Sequence, residues 1–249
     1  MAQIVDWIWQ RIGGTASRLL LGLMIATAPA LAEQRVSLEL VMAVDVSLSV
    51  NDIEYRLQIE GIAEAFRDPD IIRLIKDHDE GVAVLLTLWS GIRAANVPLA
   101  WTVLKDESGM LAYSNLIASL PRPEFGNFTA LGQAISFAIE QIEGNSFAGD
   151  ERTIDVSGDG KNNTGPAPEI VRLDAIGRHI TVNGLAITNN EPALAAYYRA
   201  TVIAGANSFV IAAVDYESFA EAFNRKLRRE LNPKIALGND NVDVAAAPR

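Results

Sequence analysis

Strand-like and helix-like hydrophobic patterns alternate along this chain from about residue 37 to residue 231, and that alternation leaves few folds open. Apolar runs of strand length fall at 37–46, 82–89, 97–104, 153–156, 180–187 and 208–214. Between them, helical spacing covers 51–67, 108–119, 129–143, 168–178, 192–204 and 216–231. In the first helix the spacing puts Ile53, Leu57, Ile62, Ala63 and Phe66 on one face. Pro98 near the start of the third strand predicts an edge position, because proline cannot donate to a ladder. Parallel strands need crossover connections, and a buried sheet needs both faces covered. The pattern therefore predicts an α/β fold with a doubly wound, mostly parallel central sheet and helices on both faces, built as one domain over 36–232.

Both ends of the chain read differently. Residues 1–32 carry Arg11 and Arg18, an apolar run over 19–31 and then Ala30-Leu31-Ala32, which together form a secretory leader. The run is shorter than the ~20 residues that cross a bilayer. A cleaved signal peptide is the expectation, with an uncleaved anchor as the alternative; no later run is long enough to cross a membrane. The product is expected to be exported, to the periplasm or the medium. The tail over 233–249 loses periodicity and reads as disordered.

Composition excludes several classes of function. Without cysteine the chain has no disulfide, thiolate metal site or cysteine nucleophile. A net charge of -10 opposes nucleic-acid binding, which depends on clustered Lys and Arg. His78 and His179 lie far apart among charged neighbours and read as surface residues.

Ligands of an open α/β sheet bind beyond the carboxyl ends of its strands. After the first strand comes Asp45-Val46-Ser47-Leu48-Ser49, with oxygen donors at alternate positions. The helix at 129 is preceded by Gly126-Asn127-Phe128 and opens on Thr129, and the fourth strand is followed by Ser157-Gly158-Asp159-Gly160. Two carboxylates and three hydroxyls, with no His or Cys, form a hard donor set suited to Mg²⁺ or Mn²⁺. An open coordination position on such an ion attracts an external Asp or Glu. Ordinary capping is the competing role for Ser49 and Thr129. Asp155, inside the fourth strand, reads as structural rather than as a ligand.

Asp45-x-Ser47-x-Ser49, Thr129 and Asp159 resemble, in order and in loop position, the five ligands of the metal-ion-dependent adhesion site of von Willebrand factor type A domains. The resemblance covers about residues 36–231, and the chain is most similar to a group of uncharacterised exported bacterial members. Residues 127–131 resemble the family's glycine-threonine-x-leucine helix start, with Phe128 in place of a small residue. Ser157-Gly158-Asp159-Gly160 departs from the usual threonine-aspartate-glycine, since Gly158 precedes the aspartate. The resemblance implies a non-enzymatic module that binds an acidic side chain of a partner protein through Mg²⁺, Mn²⁺ or Ca²⁺.

Other readings compete. A metal-dependent hydrolase or phosphatase with Asp45 as nucleophile would want an acid two positions on, where Ser47 stands. Asp155-x-Ser157-x-Asp159-Gly160 opens like an EF-hand loop, but Pro166 occupies the position of the bidentate Glu. Neither a G-x-G-x-x-G after the first strand nor a G-x-S-x-G elbow occurs.

Overall fold

The first apolar run becomes the central strand of the molecule, β1 (Gln34–Asp45), whose alternate side chains face opposite ways. Leu38, Leu40, Met42 and Val44 point into one apolar layer, and Val41 and Ala43 into the other. This is the period-two geometry of a strand buried on both faces. The computed structural model describes residues 33–124, 126–232 and 242–245, the last four by their backbone. The sequence-predicted leader, 1–32, lies outside the described residues.

After β1 come α1 (Asp52–Ala65), α2 (Pro69–Lys76), β2 (Val82–Trp89), β3 (Ala95–Leu104), α3 (Glu107–Ala118) and α4 (Leu131–Glu143). The second half is β4 (Phe147–Gly158), α5 (Pro168–Gly177), β5 (Thr181–Ile187), α6 (Leu194–Thr201), β6 (Val210–Ala213), α7 (Phe219–Leu231) and β7 (Val242–Ala245). The sheet order is β3-β2-β1-β4-β5-β6-β7. Every neighbouring pair is parallel except β2 with β3, which is antiparallel. As Pro98 predicts, β3 is an edge. Helices α1, α2, α3 and α7 cover one face through Ile59, Ile71, Tyr113 and Phe223. Helices α4, α5 and α6 cover the other through Ile135, Val171 and Leu194. The α/β, doubly wound fold is as the alternation implies.

Three elements differ from expectation. The α1 face turns: Ile62, Ala63 and Phe66 are buried as expected, but Ile53 is exposed and Leu57 only half-buried, and Tyr55, Gln58 and Ile59 are buried in addition. Its cap is Asn51, whose side chain accepts from the Ile53 and Glu54 amides while the Glu54 carboxylate accepts from the Asn51 amide. Between α1 and β2 the chain makes an extra short helix, α2, started by Asp68 as cap and Pro69 in the first turn. Within the tail that the sequence marks as aperiodic, residues 242–245 form β7 beside β6.

Candidate metal centre

Asp45 ends β1 and Asp159 follows the last residue of β4, so the two carboxylates leave neighbouring parallel strands at their carboxyl ends. From β1 the chain returns to β2 on one side, while β4 proceeds to β5 on the other. This is the point where connections diverge and a crevice opens in a doubly wound sheet.

Four of the five expected residues are joined there by hydrogen bonds. The Ser47 amide donates to Asp45 Oδ1 at 2.8 Å. Ser47 Oγ lies 3.1 Å from Ser49 Oγ, and the Ser49 hydroxyl donates to Asp159 Oδ1 at 2.7 Å. Thr129 lies close by on the α4 side: its Oγ1 is 3.6 Å from where a Cβ on Gly160, the residue after Asp159, would stand. Asp45, Ser47, Thr129 and Asp159 are buried, and Ser49 is exposed. Neither hydroxyl residue is a cap, because Asn51 caps α1 and Ala130, with no side-chain cap, precedes α4.

Electrostatics make this pair of acids unstable as two bare anions. Burial, reinforced by the Asp159 charge, pushes the Asp45 carboxyl up to about 7, against the opposing pull of hydrogen bonds from Ser47. Asp45 Oδ2 and Asp159 Oδ2 are both buried and have no hydrogen-bond partner among the described residues. Two orphaned carboxylate oxygens beside two serine hydroxyls fit a hard divalent cation, which would satisfy both and neutralise the pair. Among the described residues no group of three or more His, Cys, Asp or Glu is placed to hold a metal ion, so a cation here would need hydroxyl, carbonyl or water donors beside the two carboxylates.

Sequence reasoning misses the residues that hold this ring together. Gln58 on α1 donates from Nε2 to the Asp45 carbonyl at 3.2 Å. The Thr129 amide donates to Asn163 Oδ1 at 2.9 Å, and the Asn163 amide returns a bond to the Thr129 carbonyl at 3.0 Å. Asn162 Oδ1 accepts from the Gly132 amide at 3.1 Å, supplying from another loop the cap that α4 lacks. Behind the carboxylates stand Tyr198 and Tyr216, both buried; the Tyr216 hydroxyl lies within reach of the Asp159 side chain, and that of Tyr198 has no hydrogen-bond partner among the described residues. A buried Gln on an apolar helix face and paired asparagines after Gly160 are the sequence signals that mark the braces.

The remaining candidates fall elsewhere. Asp155 is buried in an ion pair with Lys226 Nζ at 2.6 Å, on the α7 side of the sheet. His179 is exposed, whereas His78 is half-buried with Nε2 3.0 Å from the Leu231 carbonyl oxygen, so only one of them is the free surface residue expected. Trp89, Phe66 and Phe209 are buried in the core. No helix among the described residues is long and apolar enough to cross a membrane.

Sheet order, helix layers and the carboxylate crevice together define a von Willebrand factor type A fold. Solved structures agree at the level of fold. Proximal thread matrix protein 1 from the mussel byssus, in a form with a zinc-occupied MIDAS motif, is 16% identical with a TM-score of 0.58, covering 80% of this chain and 48% of that one. The pilus adhesin SpaC from Lactobacillus rhamnosus GG, in its open conformation, is 12% identical with a TM-score of 0.57, covering 78% and 30%. This chain thus matches half or less of the length of either protein. By sequence, the chain belongs to the family described as Protein of unknown function (DUF1194), whose model matches residues 35–235. A search of curated proteins finds no match.

Proposed function

We propose that this protein is an exported, metal-dependent protein-binding module. In this reading Asp45, Ser47, Ser49, Thr129 and Asp159 hold Mg²⁺, or Mn²⁺ or Ca²⁺ in its place, and an Asp or Glu of a partner protein completes the shell. The observation that carries it is the pair of buried, unpartnered Oδ2 atoms on Asp45 and Asp159, linked through Ser47 and Ser49. When bound, the cation supplies a Lewis-acidic position that an external carboxylate can enter. The chain's own residues set how strongly it does so. Two carboxylates roughly cancel the ion's charge, and hydroxyls add donors without further negative charge. The exposed Ser49 keeps one side of the ring open to a partner.

The mussel protein supports the reading, since it has a zinc-occupied MIDAS motif on the same fold. The adhesin supports it as a protein of attachment on the same fold. Export rests on the leader over 1–32.

Calorimetric titration of Mg²⁺ into the full chain and into Asp45→Ala is the direct test. Binding by the parent and none by the variant is expected; equal binding by both eliminates the site. The phosphatase reading makes a contrary forecast: metal-dependent turnover of generic phosphate esters that Asp45→Ala abolishes. Ser47, in place of the acid that chemistry wants, favours the absence of turnover.

A further inference from the structure

The departure from the family pattern at Gly158 has a physical counterpart on the opposite side of the crevice. A Cβ at position 158 would stand 2.8 Å from the Tyr198 hydroxyl oxygen and 2.9 Å from Asp45 Oδ2. The space beside Asp45 that a side chain at 158 would take is therefore already bordered by a phenol from α6. A second glycine makes room for the ring itself, since a Cβ at Gly184 would lie 2.7 Å from Tyr198 Cδ1. Neither glycine has a positive φ, so both are needed for room and not for backbone conformation.

Packing explains the ring of Tyr198 but not its oxygen. The residue is wholly buried between α6 and the sheet, in the layer formed with Leu194, Val182 and Ala186. A phenylalanine would fill that slot and would leave no buried hydroxyl unsatisfied. The hydroxyl has no partner among the described residues, and Asp45 Oδ2, which borders the same Gly158 gap, has none either, so the two oxygens share the gap without a hydrogen bond between them. One is a donor and the other an acceptor with two lone-pair sites, so Oδ2 can accept from the phenol and still face a cation.

We infer that Tyr198 is a positioning residue of the candidate metal site: its phenol, admitted by Gly158 and Gly184, stands beside Asp45 and donates to Oδ2 once a cation holds that carboxylate. This rests on the metal-binding reading above and assigns a role to a residue outside the five ligands. Groups that orient a ligand from behind change metal affinity by roughly 10–100-fold when removed. Tyr198→Phe keeps the ring and removes only the donor.

The test is Mg²⁺ calorimetry on the full chain, with thermal unfolding in chelator as a second readout. Tyr198→Phe is expected to lower affinity about tenfold while its unfolding temperature in chelator stays at or above that of the parent. Gly184→Ala, which pushes on the ring without touching the hydroxyl, is expected to lower affinity as well. Gly158→Ala is expected to unfold at lower temperature, and adding Tyr198→Phe to it should recover part of that loss without recovering affinity. Parental affinity in Tyr198→Phe, with binding still abolished by Asp45→Ala, overturns this inference and leaves the metal site standing. Equal binding by the parent and Asp45→Ala overturns the site and this inference together. Strictly additive unfolding shifts for Gly158→Ala and Tyr198→Phe refute the shared gap.

Discussion

Replacing Lys226 with methionine isolates the most heavily charged part of the core. Lys226 Nζ lies 2.6 Å from Asp155 Oδ1 and 2.5 Å from Glu230 Oε1, and all three side chains are buried. Asn183 Nδ2 adds a hydrogen bond to Glu230 Oε1 at 3.0 Å. One cation thus faces two acids with almost no water. Burial raises both carboxyls; that of Glu230 goes from 4.5 to about 7, with Lys226 pulling the other way. Methionine matches the lysine stem in shape, so Lys226→Met removes the charge and leaves two uncompensated acids. Removing one partner of a buried ion pair costs about 3–5 kcal/mol. For a domain of this size each kcal/mol moves the midpoint by roughly 2–4 °C, so a fall of about 6–20 °C is expected.

The sign of the pH dependence is fixed by the same shifts. Between about 4.5 and about 7 the native state binds more protons at Glu230 than the unfolded state does. That group's contribution to stability therefore declines as pH rises through this window. Without Lys226 the anions lose their partner, so the decline should steepen and the deficit of Lys226→Met should be larger at pH 8 than at pH 5. Urea unfolding followed by circular dichroism at both pH values measures it. Adding Glu230→Gln, which removes one of the two acids, should restore part of the loss at pH 8. A deficit under about 1 kcal/mol, or one that does not change with pH, would refute the reasoning.

Three further outcomes are expected. Asn51→Ala removes the side chain that caps α1 and should lower stability by about 1 kcal/mol in urea unfolding. Gly132→Ala would put a Cβ 2.1 Å from the Pro166 carbonyl oxygen, a collision with backbone that should cost about 3 kcal/mol and loosen the Asn162 brace on α4. Because a cation held only by the native state stabilises by mass action, Mg²⁺ at a hundred times its dissociation constant should add about 2.7 kcal/mol. That corresponds to a melting temperature roughly 5–10 °C above the value in chelator, and an unchanged midpoint would count against the site.

What was legible in the sequence depended on whether one chain segment carried the information. The α/β alternation, the edge position of β3 and the turn residues Asp45, Ser47, Ser49 and Asp159 are local patterns, and the structure brings those four side chains into mutual contact. Two short elements were not legible: α2 has eight residues and begins at Pro69, just past the end of α1, and β7 has four residues inside a stretch without periodicity. The face of α1 was misread at Ile53 because an apolar residue in a first turn counts toward periodicity whether or not it meets the core.

The second layer of the site was illegible for a different reason. Tyr198 and Tyr216 occupy apolar periodic positions and read as core, and by packing they are core. Their hydroxyls gain meaning only when β4, β5 and α6 converge, because the Tyr198 oxygen sits beside Asp45 solely through the gaps left by Gly158 and Gly184. Gly158 was visible as a departure from the family pattern, but a missing side chain does not announce what fills its place. A glycine that breaks a ligand motif is therefore a reason to look for a large polar aromatic on the next helix, whose oxygen can take over the vacated position.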